Sequence, residues 1–216
     1  IFEDGYETTA THQATHKIVR GDEDARQRAA TAKRVGVDMD YTLLFGKKQA
    51  PVLGTTGGTM DGIRARITTN VYNKAGAKLQ AMFLEDGLEA SYRAGGKRDI
   101  HVLVNTTQRR VINQMLDAWR QSGYSDRTFG TFVDRFETPF GNMTVVLHRE
   151  MPQDEVIGIE RARIGFGPLR PLGESKLPST SREYDRWQWT GEYTAELRQE
   201  SVHFRIYGLG TTNVLA

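Results

Sequence analysis

Phe136-Glu137-Thr138-Pro139-Phe140-Gly141-Asn142-Met143-Thr144-Val145-Val146-Leu147-His148-Arg149-Glu150-Met151-Pro152 is the stretch whose reading decides the fold. Pro139 and Gly141 punctuate a turn. Met143 to Leu147 is a short β-rich run, so the segment reads strand, turn, strand. Pro152 ends the second strand, because it has no N–H to give to a ladder.

Outward from this core, strands are expected at 129–137, 142–149, 155–159 and 161–166. Upstream, Ile100-His101-Val102-Leu103-Val104 is a short buried strand between two helices. The first helix, 79–93, carries Leu79, Met82, Phe83, Leu84, Leu88 and Tyr92, and Gly95-Gly96 closes it. Thr106 or Thr107 caps the second, which turns Val111, Ile112, Met115, Leu116 and Trp119 inward. Downstream, residues 183–207 alternate through Tyr184, Trp187, Trp189, Tyr193, Val202, Phe204 and Ile206, and read as a long hairpin or two strands. The mixture of segregated helices and strands is an α+β pattern.

The best helix lies further upstream, at 22–45. Asp22 is a good N-cap, and Glu23 and Asp24 sit where the dipole favours anions. Gly46 suits the position after the last turn. Ala25, Ala29, Ala32, Gly36, Met39 and Leu43 fall on one face at 4-3-4-3-4 spacing. That face is mostly small and is expected to pack tightly. Residues 1–20 are polar and Thr-rich and read as an extended arm or half of a hairpin. Residues 46–59 read as a glycine-rich loop.

The strand entering Phe140-Gly141, the hydrophobic strand, and then Arg149-x-Met151-Pro152 resemble the C-terminal half of tailed-phage major capsid proteins, in particular those of the Salmonella-phage type. Ile1-Phe2-Glu3-Asp4 with Thr8-Thr9-Ala10-Thr11 resembles the family's opening segment. Thr59-Met60-Asp61-Gly62-Ile63 resembles its Met-x-Gly-Ile segment. The pieces occur in the family's order, and their order carries the resemblance.

The resemblance implies the Hong Kong ninety-seven-type capsid fold. That fold would have the 22–45 helix as its long spine. It implies a peripheral-type lobe from 21–56 and 168–216, an axial-type lobe from 57–167, and 1–20 as the arm or the end of an extended loop lying over a neighbour. The implied function is structural: self-assembly as pentamers and hexamers into an icosahedral head shell around a double-stranded DNA genome. The implied partners are further copies of the chain, with scaffolding, portal and decoration proteins. DNA is enclosed without sequence-specific binding, and no membrane is involved. The implied location is the virion, after assembly in the host bacterial cytoplasm. Residues upstream of Ile1 are expected. A bacterial encapsulating shell and a carbohydrate-active enzyme are the alternatives.

Composition bounds these readings. The 216 residues suffice for one domain or two small ones. Apolar content is 38% and mean hydropathy −0.54, which suits a chain with much solvent- or partner-facing surface. No segment approaches the roughly 18 apolar residues of a membrane span. The chain has no cysteine, which excludes disulfides and thiolate metal sites. Net charge is +2, too mild for a nucleic-acid footprint. The basic pairs Lys47-Lys48, Lys97-Arg98 and Arg109-Arg110 read as solvated turns and helix ends.

No catalytic, cofactor or metal residues are assigned. His12 and His16 have the spacing of a zinc pair but lack the Glu and the third ligand such a site needs. His101, His148 and His203 are isolated on strands. Gly54-Thr55-Thr56-Gly57-Gly58-Thr59 lacks the Gly-Lys-Ser/Thr ending of a phosphate loop. Asp38 and Asp40 diverge around a helix and cannot form an acid/base pair. Trp187 and Trp189 share a strand face and could stack on a sugar, but such pairs more often pack a sheet.

Overall fold

The structure, a computed structural model, describes residues 1–12, 22–53, 57–97, 99–120, 135–178 and 183–211. The chain forms two compact units. The first comprises Ile1–Ala65 and Gly165–Glu196, the second Arg66–Ile164 and Leu197–Ala216.

The first unit pairs a long helix with a three-stranded sheet. Helix α1 spans Glu23–Phe45. Its start follows the sequence: the Asp22 side chain accepts the Asp24 N–H at 3.1 Å, and Glu23 and Asp24 fill the first turn. The helix stops at Gly46, where backbone crowding rather than a left-handed turn explains the glycine. Gly46 has φ −51°, but a Cβ there would lie 2.5 Å from the Thr42 carbonyl and 2.6 Å from that of Met60. Gly62 is held as tightly against Gly46 and Leu44. Ile63, which opens the short helix α2 (Ile63–Arg66), is buried beside it. This contact is the physical content of the Met-Asp-Gly-Ile segment.

The inward face of α1 is not the small one. Glu23, Thr31, Val35 and Leu44 are buried, whereas Ala25, Ala29 and Gly36 are exposed. A stripe of alanines satisfies helical periodicity on any face, so spacing alone could not orient the helix. Gly36 faces open space, with nothing within 4 Å of a Cβ built there.

Strand β1 (Phe2–Thr9) makes the described first residues part of the first unit's own sheet. It pairs antiparallel with a 14-residue strand at Tyr184–Leu197, from Phe2 opposite Gly191 to Thr9 opposite Tyr184. Its inward residues are Tyr6 and Thr8. Polar side chains that find partners can line a buried face. The third strand is Ile164–Leu177, giving the order β1, Tyr184–Leu197, Ile164–Leu177.

The second unit is a six-stranded mixed sheet with two covering helices. In chain order the elements are β2 (Val71–Asn73), α3 (Ala81–Arg93), β3 (Asp99–Val104), α4 (Thr106–Arg120), β4 (Arg135–Thr138), β5 (Gly141–Leu147) and β6 (Val156–Ile159). The hairpin strands Ile164–Leu177 and Tyr184–Leu197 are β7 and β8, and Phe204–Tyr207 is β9. The sheet order is β2-β9-β6-β3-β5-β4. β3 is central, parallel to β5 and antiparallel to β6. The core gathers Leu84 and Leu88 from α3, Val102 and Val104 from β3, and Val111 and Ile112 from α4 around Phe204 and Ile206.

Two details differ from expectation. Asn105, not Thr106 or Thr107, caps α4, its side-chain oxygen accepting the Thr107 N–H at 3.3 Å. Met82 and Tyr92 on α3 point outward and are exposed. The tail also divides differently. Residues 197–211 join the second unit rather than the first, because β9 is threaded between β6 and β2. Of the expected strand 129–137, only the end from Arg135 lies within the described residues, and the side chains of Leu116 and Trp119 lie outside them.

Candidate functional site

Unit one offers a polar seam between α1 and its sheet. Asp4 accepts from Arg34 Nε at 2.7 Å. Thr8 donates to Asp24 at 3.1 Å. The Tyr6 hydroxyl donates to Glu174 of β7 at 2.9 Å, and Glu174 also pairs with Arg28 of α1. Burial, followed by the Glu174 carboxylate, pushes the Tyr6 phenol well above its ordinary range. Each charge in the seam therefore has a fixed partner. The arrangement locks a helix to a sheet.

The other side of this sheet carries a shallow cavity of about 350 Å³ bordered by Glu3, Gly5, Glu7, Arg186 and Gln188. Its charges also satisfy one another: Arg186 pairs with Glu7 and Gln188 donates to Glu3. Trp187 and Trp189 do share one face of β8, opposite Tyr6 and Asp4. Both are partly buried, and the Lys176 ammonium stands 5.5 Å from the Trp187 ring. Trp187 also borders the cavity, and neither ring is fully exposed.

The second unit holds its polar groups deep. Glu155 is buried against Arg205, 2.5 Å from its Nε, and Arg205 lies over the Tyr207 ring. Gln108 is fully buried and donates to the carbonyls of Gln153 and Gly210. His203 is fully buried, its Nδ1 accepting the Glu160 N–H at 3.1 Å. Glu160 in turn accepts from the Lys97 N–H and Arg163 Nε. Burial holds His203 below the usual imidazole range, against the opposing pull of the Arg198 backbone and the Glu160 charge. These groups tie strand ends and turns together.

The remaining candidates are scattered. His12 borders a small cleft with Glu7, Thr8 and Glu23, and His16 lies outside the described residues. Thr55 and its neighbours Gly54 and Thr56 lie outside them as well. His148 accepts the Glu150 N–H in the turn after β5. Gly95-Gly96 does close α3, with Gly95 at φ +79°. Asp38 and Asp40 are exposed on α1. Among the described residues no group of three or more His, Cys, Asp or Glu could hold a metal ion. Among them, too, no helix is long and apolar enough to cross a membrane.

What stands out is exposed apolar surface, which residue-by-residue reading did not single out. Val37 and Tyr41 lie on the open face of α1, and Val52 and Leu53 stand free on the loop that follows it. Met82 and Tyr92 line the outer side of α3. Surfaces of this kind suit contact with another macromolecule.

The sequence model of the SU10 major capsid protein family matches residues 1–210. No curated protein matches the chain in sequence. The fold is similar to that in the capsid of cyanophage A-1(L), with TM-score 0.68 at 10% identity over 96% of this chain and 77% of that one. It is similar to that in the capsid of Myoviridae phage XM1, with TM-score 0.63 at 12% identity over 96% and 72%. It is also similar to the SrpI encapsulin of Synechococcus elongatus, with TM-score 0.67 at 6% identity over 97% and 74%.

Proposed function

The chain belongs to the SU10 major capsid protein family, and from that premise we propose how it builds a phage head. As a major capsid protein it is a virion component, and many copies assemble into the shell. We infer that the copies tile an icosahedron as pentamers and hexamers around a double-stranded DNA genome, after assembly in the host bacterial cytoplasm. The first unit serves as the peripheral-type lobe, with α1 as its spine, and the second as the axial-type lobe. Scaffolding, portal and decoration proteins are the accompanying partners, and the role is structural, without catalysis.

The observation that carries this reading is the family match across nearly the whole chain. Its physical support is that the carboxylates described above, Glu174, Glu155 and Glu160, are each paired with an arginine of the same chain. Closed symmetry repeats each contact many times, so moderate interfaces add up to a stable particle.

The likeness to an encapsulin favours one second reading, a bacterial compartment of the same fold. One experiment addresses both. Full-length protein is expressed with and without a scaffold, then followed by sedimentation and negative-stain microscopy. Shells or capsomers are expected. A persistent monomer at high concentration under both conditions overturns the shell. Particles recovered from the native source should hold nuclease-protected double-stranded DNA. Protein cargo without DNA would favour the compartment.

A further inference from the structure

On the open face of α1, Val37 and Tyr41 lie one turn apart and form an apolar stripe, which ends at Phe45, half-buried against Tyr41 and under the Arg64 guanidinium. Val37 is 48% exposed and Tyr41 51%. Asp38 borders the stripe and is exposed. Arg34, one turn before Asp38, is turned onto Asp4.

The loop after the helix has the complementary character. Lys47 and Lys48 are exposed, and after Gln49 come Ala50, Pro51, Val52 and Leu53, four consecutive exposed apolar residues. Such a run on a surface signals function. Leu53 touches almost nothing in its own chain. The base of the loop is fixed. Gln49 and Thr59 exchange backbone hydrogen bonds at 3.2 and 3.1 Å. Asp61 accepts the Lys48 N–H at 2.8 Å. A tip held this way loses little freedom on docking.

An apolar strip with an acidic border and an apolar tip with a basic root are complementary. Both lie uncovered in the same chain, so they do not satisfy each other within one subunit. We propose that the 47–53 loop of one copy docks on the Val37–Tyr41 stripe of a second copy, with Lys47 and Lys48 facing the exposed Asp38 at its border. The contact is heterologous: it joins different patches and propagates from copy to copy, as a ring or shell requires.

This inference rests on the shell reading, and the test separates their failures. The chain has no cysteine, so introduced thiols report unambiguously. The variants Leu53→Asp, Tyr41→Cys, Leu53→Cys and the double variant Tyr41→Cys/Leu53→Cys are made in full-length protein and checked for wild-type melting. Leu53→Asp should lower the assembled fraction at least tenfold. Assembled double variant treated with a short bismaleimide should give a ladder of dimers, trimers and higher species, and neither single variant should. If wild type itself does not assemble, the shell reading falls. If wild type assembles and Leu53→Asp matches it, or the double variant gives no ladder, the docking fails and the loop serves another partner.

Discussion

Gly158 lies directly opposite Phe204 in the β6–β9 ladder, and the Phe204 ring covers it. A Cβ on Gly158 would overlap the ring atoms, and one on Gly87 of α3 would come within 2.7 Å of the same ring. Phe204 is fully buried between the two glycines. The glycines are there to make room.

Gly158→Ala should therefore cost about 1–3 kcal/mol, the usual range for overpacking a tight core. The neighbour that must give way is a rigid, fully buried ring, which places the effect at the upper end. Adding Phe204→Leu should recover part of the loss, because the smaller side chain vacates the contact. Urea denaturation of the two variants and wild type checks this. Equal midpoints for Gly158→Ala and wild type would contradict it.

Gly36 is expected to behave oppositely. It lies inside α1, exposed, with nothing near its missing Cβ. Gly36→Ala should stabilise the subunit by up to about 1 kcal/mol through helix propensity alone. Gly36→Leu should melt like wild type or slightly higher. A fall of several degrees for either variant would place a hidden contact on this face.

The contrast between Gly158 and Gly36 marks what the sequence could convey. The span of α1, its Asp22 cap, the strand–turn–strand at 135–147 and the alternation in β8 and β9 were legible, because each is local and periodic. The ordered motifs near Asp4, Gly62 and Met151 carried the family. The inward face of α1 was not legible. Thr31, Val35 and Glu23 are buried there by polar partners and by the sheet, and periodicity cannot rank an alanine stripe against a mixed one. The destination of β9 was equally hidden. Its pairing with β6 and β2 joins segments far apart in sequence, and nothing local encodes that choice. The uncovered run 50–53 could not be recognised either, since exposure is a property of the fold.

The β1 seam gives a third expectation. Tyr6→Phe removes a hydrogen bond to a charged acceptor while keeping the ring, and should cost about 1.5–3 kcal/mol. Deleting residues 1–9 should go further and prevent the first unit from folding, because it uncovers one edge of β8 from Tyr184 to Gly191 and strips partners from Arg34 and Asp24. Circular dichroism and melting of both variants check this. A deletion that melts like wild type but fails to assemble would return the segment to the role of an arm.

His203 gives the expectation for pH. Its Nδ1 accepts the Glu160 N–H, so the neutral ring carries its proton on Nε2. Charging the ring requires a proton on Nδ1 and breaks that bond in a fully buried place. Burial lowers the folded-state affinity for the proton, while Glu160, Glu200 and the Arg198 backbone oppose and Arg163 assists. Between the depressed folded value and the ordinary value of about 6.5, the unfolded chain binds more protons than the folded one. Stability therefore rises with pH across that window and is lost as pH falls below about 6.5. Glu200 adds a similar loss only at lower pH: burial raises its carboxyl, but hydrogen bonds from Thr69 and Thr68 outweigh this and hold it below the usual range. His203→Asn keeps an acceptor for the Glu160 N–H and removes the titration. Urea midpoints measured every half unit from pH 5 to pH 8 should decline for wild type on the acid side and stay flatter for His203→Asn. Parallel curves for the two proteins would mean that another group carries the acid sensitivity.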